Sequence, residues 1–514
     1  MAVAAPALDH QARPEDGAPL MLGGYAAMAE SAWMGSVQAT DVLESLRTAP
    51  AAAPRWQIVI PRLPRIRLAG LYTREFSIAE ASFVLMASFF SSALLGAVRQ
   101  VLFNAQFGTG LEANAYYAAF RLPDTLFSLI AGGALSSAMI PVLLGTVRKD
   151  GKQAGWRLIN LVLTALLVVF AFVVLAGEIF APVFVNSLLA PGFDAETSRL
   201  TVRLTQIMLV QPLILAVGSV ATAVLNSRNQ FLPTALSILG HNIALIAGIL
   251  AARLVPGLGI YGPTLGVVGG AVLQALILLP GLVGQGRGFQ PVWDLRDTRL
   301  REIVRLLVPN GMSVSVNYSG FIVDTAFASK AAEMAGLPAL YNAWLLVGLP
   351  IALLGQAIGQ AAFPRLAEHA AAQDWTKMRS SLFRSLGAAI GLAIPAMAAL
   401  VMLGRPTIRI LFERGRFDAA AGDLTYRVLT VYALGLPAYV ATELVTRGLI
   451  ALLDTRTPLI TNTLQLIGRA VLMAVLISRI GVIAIPAAFA ITASVETLAL
   501  GSVLLLKLRR RIEK

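Results

Sequence analysis

From Phe76 onward, apolar stretches of roughly 20 to 28 residues alternate with short polar breaks, the length a bilayer core demands of a helix. Twelve are placed, at 78–104, 112–146, 156–182, 200–226, 232–253, 262–286, 300–329, 338–364, 378–404, 424–453, 456–479 and 481–507. The second is interrupted by Pro123 and the eighth by Pro350. A proline frees backbone groups, tolerated at membrane depth only where protein or water satisfies them. Both kinks are therefore expected to face a cavity. Residues 1–75 carry no stretch of spanning length and are rich in Ala and Pro. They read as a disordered cytoplasmic tail with a short helix near 28–46. No charged segment leads into an apolar one, so no cleaved signal peptide is expected. Arg62, Arg65, Arg67 and Arg74 form a basic collar before the first span.

The apolar part is written twice. Phe193-Asp194-Ala195, Leu200-Thr201 and Arg203 return as Phe417-Asp418-Ala419, Leu424-Thr425 and Arg427, a shift of about 224 positions. Further on, Asn226-Ser227-Arg228 meets Asp454-Thr455-Arg456, and Ile238-Leu239-Gly240-His241 meets Leu466-Ile467-Gly468-Arg469, a shift of about 228. Long-period repeats in an apolar chain are a signature of secondary transporters, which hold substrate between the repeats. Six spans per repeat return the chain to the same side, so the two copies are parallel. The expected architecture is all-α and integral to the membrane: a first lobe over 76–290 and a second over 291–514, flanking a central cavity.

Composition agrees with a chain mostly in lipid. Of 514 residues, 57% are hydrophobic and 13% charged, about half the charged share of soluble domains, and the mean hydropathy is +0.74. There is no cysteine, which excludes disulfides, thiolate metal sites and cysteine nucleophiles. The net charge of +13 has a membrane explanation, because basic residues gather in cytoplasmic loops. No basic face with interleaved aromatics suggests nucleic acid. Clusters at 148–157, 287–305, 365–384 and 507–511 fall on one side with both termini. The loop carrying Arg405, Arg409, Arg414 and Arg416 falls on the other, against the trend. The glycine-rich stretch 257–270 lacks a Gly-Lys-Ser/Thr ending and reads as a turn. With three histidines, and no HExxH, paired-histidine set or Ser-His-Asp arrangement, no metal site, cofactor or catalytic residue is expected.

The first two spans carry specific residues. Leu95-Gly96-Ala97-Val98-Arg99, Phe107-Gly108-Thr109-Gly110 and the run from Ala115 to Asp124 resemble the opening of the MurJ (MviN) family. Ala131 to Leu135, Pro141 and Asp454-Thr455-Arg456-Thr457-Pro458 continue the resemblance over about 76–507. It implies a lipid II flippase of the multidrug/oligosaccharidyl-lipid/polysaccharide exporter superfamily, with MATE-like lobes. Such a protein moves a polyprenyl-linked peptidoglycan precursor between leaflets by alternating access. The resemblance implies a multi-pass protein of the inner membrane, expected to be a monomer, with cell-wall synthesis proteins as partners. Members often have two helices beyond the twelfth; this sequence shows twelve spans. Several charged family positions are here neutral, at Ala93, Asn114, Phe127, Gly132 and Leu345, while Arg99 and Arg121 remain. Two readings stand beside the flippase: an exporter of another lipid-linked glycan, and a non-transporting scaffold. A membrane transferase lacks a catalytic carboxylate cluster.

Ionisable groups at membrane depth are functional hypotheses by default. The substrate-binding candidates are Arg99, Asn114, Arg121 and Asp124. Arg99 reads equally as a diphosphate contact or as a snorkelling residue. Arg121 and Asp124, three apart, have the spacing of a local ion pair, as Glu443 and Arg447 do at four apart. His241 reads first as a packing residue, and Glu178 and Glu496 as groups near span ends. In some MurJ relatives an acid of the seventh span and residues of the eleventh hold sodium. By that resemblance Asp324 matches the acid, while Arg469 and Met473 stand where ligands are expected. Asp324 and Arg469 are therefore expected to form a buried ion pair, with the guanidinium in the ion's place.

Overall fold

Five of the described helices start on a side-chain cap, at Ser77, Asp194, Asp297, Asp374 and Asp418. Ser77 begins α1 (Ile78–Phe107) with a reciprocal capping box to Glu80. There follow α2 (Leu111–Ala131), α3 (Ala134–Phe184), α4 (Ala195–Asn226), α5 (Phe231–Leu254) and α6 (Tyr261–Val283). The second set is α7 (Thr298–Lys330), α8 (Gly336–Pro350), α9 (Ala357–Ala371), α10 (Trp375–Leu411), α11 (Ala419–Leu434), α12 (Leu436–Ala451), α13 (Arg456–Ile480) and α14 (Ala484–Ile512). The computed structural model describes residues 74–131, 134–283, 289–331, 333 and 335–513. The expected tail, its short helix and the basic collar apart from Arg74 lie outside the described residues. Arg74 pairs with Glu80 at 2.5 Å.

The repeated Phe-Asp-Ala is a helix start written twice. Asp194 accepts from the backbone of Glu196 and Thr197 to open α4, and Asp418 accepts from Ala421 to open α11. A cap of this kind contributes about 1 kcal/mol. Packing repeats as well. In the first lobe α5 packs on α6, α1 on α5, α2 on α4 and α4 on α6. In the second, α13 packs on α14, α7 on α13, α8 on α11 and α12 on α14. These are corresponding contacts of two six-span lobes.

Eight of the described helical stretches are long and apolar enough to cross a membrane, or nine if the bent pair α11–α12 counts as one. The longest exceed one crossing. In α3, Gly151 has φ 82° and breaks the helix, so α2 with the first part of α3 makes the second span and the remainder the third. Arg456–Ile512 runs 57 residues, about 85 Å at 1.5 Å per residue, enough for two crossings. With α7, whose apolar run is diluted by Asn310, Ser313, Ser315, Asn317 and Ser319, the segments number twelve.

Breaks fall in places the hydropathy pattern leaves blank. A π-helical turn, Ile351–Gln356, follows Pro350 and joins α8 to α9. The tenth span bends by 44° between α11 and α12, where Gly435-Leu436-Pro437 interrupts the helix. Pro123 lies inside α2, which continues through it. The glycine-rich stretch corrects the turn reading. Only its first part is a turn; Gly262 and Gly266 lie on α6, where their backbone meets Gly248 of α5 so closely that a Cβ on Gly248 would fall 2.5 Å from the Gly262 carbonyl oxygen. Small residues permit that approach between helices in lipid. Outward-facing Phe90, Phe172, Met402 and Leu498 are each more than 70% exposed, a surface that only lipid tails would cover.

Candidate functional site

Between the lobes lies a cavity of about 410 Å³, within the usual range for ligand sites. Its two walls differ. The first lobe contributes most of the hydroxyls and amides, among them Ser219, Thr222, Asn226, Asn242 and Gln274, along with the rings of Phe89, Phe120, Phe127 and Phe231. The second contributes Phe321, Tyr341, Trp344, Leu345 and Leu349. Charge is concentrated where the walls approach: Arg99, Arg121 and Arg469 against Asp124 and Asp324, a surplus of one positive charge.

Arg99 comes from α1, and its guanidinium lies against the Tyr341 hydroxyl of α8. One residue along, Gln100 is buried at the cavity's edge and joins a polar node. Its amide donates to Asn342 Oδ1 at 2.7 Å, to Asn104 Oδ1 at 3.0 Å and to the Tyr117 hydroxyl at 2.5 Å. Asn104 also donates to Asn342 Oδ1, at 2.9 Å. Asn342 belongs to the second lobe and the others to the first, so this node joins the lobes beside Arg99. The node has no signal in a single sequence.

Arg121 does not pair with Asp124. It lies over the Phe321 ring at 5.1 Å and the Tyr341 ring at 5.9 Å, bridging α2 to α7 and α8. The expected local ion pair is thus corrected: a planar guanidinium stacks on aromatic faces, and the second lobe supplies two. Asp124 lines the cavity within electrostatic reach of Arg121 and Arg99. Asn114 is a second correction. Its amide donates to the backbone oxygens of Gly110 at 3.0 Å and Thr109 at 3.2 Å, fastening the start of α2, and it is not among the cavity residues. Neither Pro123 nor Pro350 lines the cavity; their neighbours Asp124 and Leu349 do.

On the second lobe, Arg469 of α13 donates to Asp324 Oδ2 of α7, with both residues buried. The same guanidinium stands over the Phe489 ring at 4.4 Å. The sodium set implied by the resemblance does not fit these residues: Arg469 takes the carboxylate, and Met473 is a fully buried thioether. His241 lines the cavity from α5. Glu443 and Arg447 approach to 3.8 Å inside the second lobe. Glu496 corrects the span-end reading, since it is mid-helix, 8% exposed, and accepts from the Thr461 hydroxyl at 3.3 Å.

One end of the cavity is sealed by backbone. Arg416 N–H donates to the Ala105 carbonyl at 2.9 Å, joining the α10–α11 turn to the end of α1. Gly415 and Gly108, at φ 59° and 62°, make room for this contact; a Cβ on Gly108 would fall 2.5 Å from the Arg416 carbonyl oxygen. Arg416 also approaches Glu112 to 3.8 Å. Beside it, Gly192 N–H donates to Ser329 Oγ at 3.0 Å, again across the lobes. Arg405 of the same basic loop is held by Glu413 and by Asp423 at 2.8 Å. That loop's charge is therefore engaged, two of its four arginines pairing with acids. Away from this end, the cavity extends to Leu85, Asn226 and Phe231.

The family described as "Lipid II flippase MurJ" matches residues 103–513. The chain belongs to the MurJ family. Among curated MurJ relatives, the "Lipid II flippase MurJ" of Burkholderia cenocepacia is 30% identical over 374 residues, 71% of this chain and 72% of that protein. The "Probable lipid II flippase MurJ" of Rhizobium meliloti is 28% identical over 375 residues, 72% of this chain and 70% of that protein. Among solved structures, a MurJ in an inward closed conformation superposes with a TM-score of 0.69 at 25% identity, covering 82% of this chain and 87% of that one. An inward-facing MATE transporter shares the fold at 0.69 and 14% identity, covering 84% and 99%. MurJ membership and these folds are those of transporters, not enzymes. The MurJ signature Asp454-Thr455-Arg456-Thr457-Pro458 has a structural part here: Asp454 accepts from Thr457 N–H at 3.0 Å and pairs with Lys507, tying α13 to α14.

Proposed function

We propose that this chain carries lipid II, a polyprenyl-diphosphate-linked peptidoglycan precursor, across the cytoplasmic membrane by alternating access. The observation that carries the reading is the polar-walled cavity between the lobes, with Arg99 and Arg121 facing into it. Arginine presents a planar fork of donors that matches phosphate oxygens. A cavity of this kind shelters a sugar and peptide headgroup while the polyprenyl tail stays in lipid. The naming of the relatives supports the same substrate. A scaffold would need no hydrated, charged space between lobes, so the cavity argues against that alternative.

The basic clusters favour both termini in the cytoplasm; on that orientation the contact at Gly108 and Gly415 is on the outer side and the headgroup chamber opens inward. The protein acts as a monomer, since one chain contributes both lobes. Arg469, holding Asp324, occupies the place of a coupling sodium ion, so sodium does not drive this member.

The test is rescue of a conditional MurJ depletion. The chain should restore growth, and Arg99→Ala should lower rescue at least tenfold at equal membrane expression. Absence of rescue by the unaltered chain, with normal membrane insertion, would rule out lipid II and favour another lipid-linked glycan.

A further inference from the structure

The cavity holds a surplus of one positive charge until a diphosphate enters. Arg469 is committed to Asp324 Oδ2. Arg99 and Arg121 lie within electrostatic reach of Asp124. No hydrogen bond or ion pair from a described residue is made to that carboxylate. A diphosphate diester brings two ionised oxygens, one on each phosphate, and these claim Arg99 and Arg121. Asp124 is then left in the cavity as a carboxylate without a counter-charge, a costly arrangement at membrane depth. A second acceptor stands on the opposite wall. Asp324 is 8% exposed and lines the cavity, and its Oδ1 is buried with no hydrogen-bond partner.

We infer that the headgroup carried by this protein includes a protonated amine, and that Asp124 is the residue that selects it, with Asp324 Oδ1 as a second acceptor. The inference rests on the flippase reading and adds the cationic half of the substrate. An ammonium group restores neutrality once the phosphates have taken the arginines, and its three donors suit two carboxylate oxygens that lack other partners. A neutral or wholly anionic headgroup leaves the Asp124 carboxylate unmatched in the cavity wall, which builds selectivity by penalising the wrong ligand. The aromatic faces of Phe321 and Tyr341 hold Arg121 between the two walls, so phosphate and ammonium are read side by side.

The test measures binding to the purified full chain in lipid nanodiscs. Three probes are used: lipid II with a free amine on its stem peptide, the same molecule with that amine acetylated, and undecaprenyl diphosphate alone. Acetylation should weaken binding to the unaltered protein about tenfold, which is about 1.4 kcal/mol, and should cost less than twofold on Asp124→Asn. Equal affinity for the two lipid II forms on the unaltered protein overturns the inference, and that arm needs no folded variant. An acetylation penalty that persists in Asp124→Asn overturns the assignment to Asp124. Affinity that rises with sodium or falling pH, with no response to acetylation, makes a small cation the counter-charge and also overturns it. If none of the three probes binds, the flippase reading itself fails, a result distinct from equal binding.

Discussion

Arg469 and Asp324 sit on different helices, and at their depth neither charge is affordable alone. Arg469 is 5% exposed, with Phe489 beneath its guanidinium. Removing one partner of a buried pair leaves the other uncompensated, at a cost of about 3–5 kcal/mol. Arg469→Ala should therefore lower the thermal midpoint of the purified protein sharply, and adding Asp324→Asn should recover most of the loss. An Arg469→Ala protein that melts with the unaltered chain would refute the pair as a structural lock. Both positions drew attention in the sequence through the family resemblance, and Arg469 also through the repeat, where it stands against His241. Asn114 was misread, because spacing places a side chain on a helix and does not say that it will turn back to its own backbone. Glu496 was misjudged for a related reason: hydropathy locates a span but not the side of it that another helix covers.

At the scale of the elements, the sealed end depends on two glycines with no room for a side chain. Gly415 has φ 59°, a region that costs other L-residues roughly 1–2 kcal/mol, and a Cβ there would also collide with the Ala105 carbonyl. Gly415→Ala should weaken the closed arrangement and raise access to the cavity from that side. Because the chain has no cysteine, Ser219→Cys supplies a clean reporter in the cavity wall. Its labelling by an impermeant thiol reagent from the sealed side should rise roughly tenfold with Gly415→Ala, as about 1.4 kcal/mol would give. Gly387→Ala, where a Cβ meets nothing within 4 Å, should leave the rate unchanged. Equal labelling in all three proteins would mean that the glycine contact does not hold the seal. The caps at Asp194 and Asp418 were readable as repeated residues, whereas the glycine contact joins turns about 300 residues apart and needs the fold to be seen.

Over the whole molecule, duplication accounts for the fold and divergence for the site. Corresponding helices pack alike in the two lobes. The cavity between them is nonetheless unlike on its two sides, since most of its hydroxyls and amides come from the first lobe while aromatic rings line both walls. Spans, lobes and the central position of the cavity follow from hydropathy and repeat length. The roles of Tyr341 and Phe321 do not, because an aromatic residue in an apolar span gives no hint that an arginine from the other lobe lies over it. Carriage of lipid II through this chamber is measured most directly as translocation by the purified chain in sealed vesicles. Fluorescent lipid II placed in one leaflet should become accessible to an impermeant quencher on the other side, and Arg99→Ala should slow that movement at least tenfold. Translocation no faster than in protein-free vesicles, with the chain folded and inserted, would contradict the account.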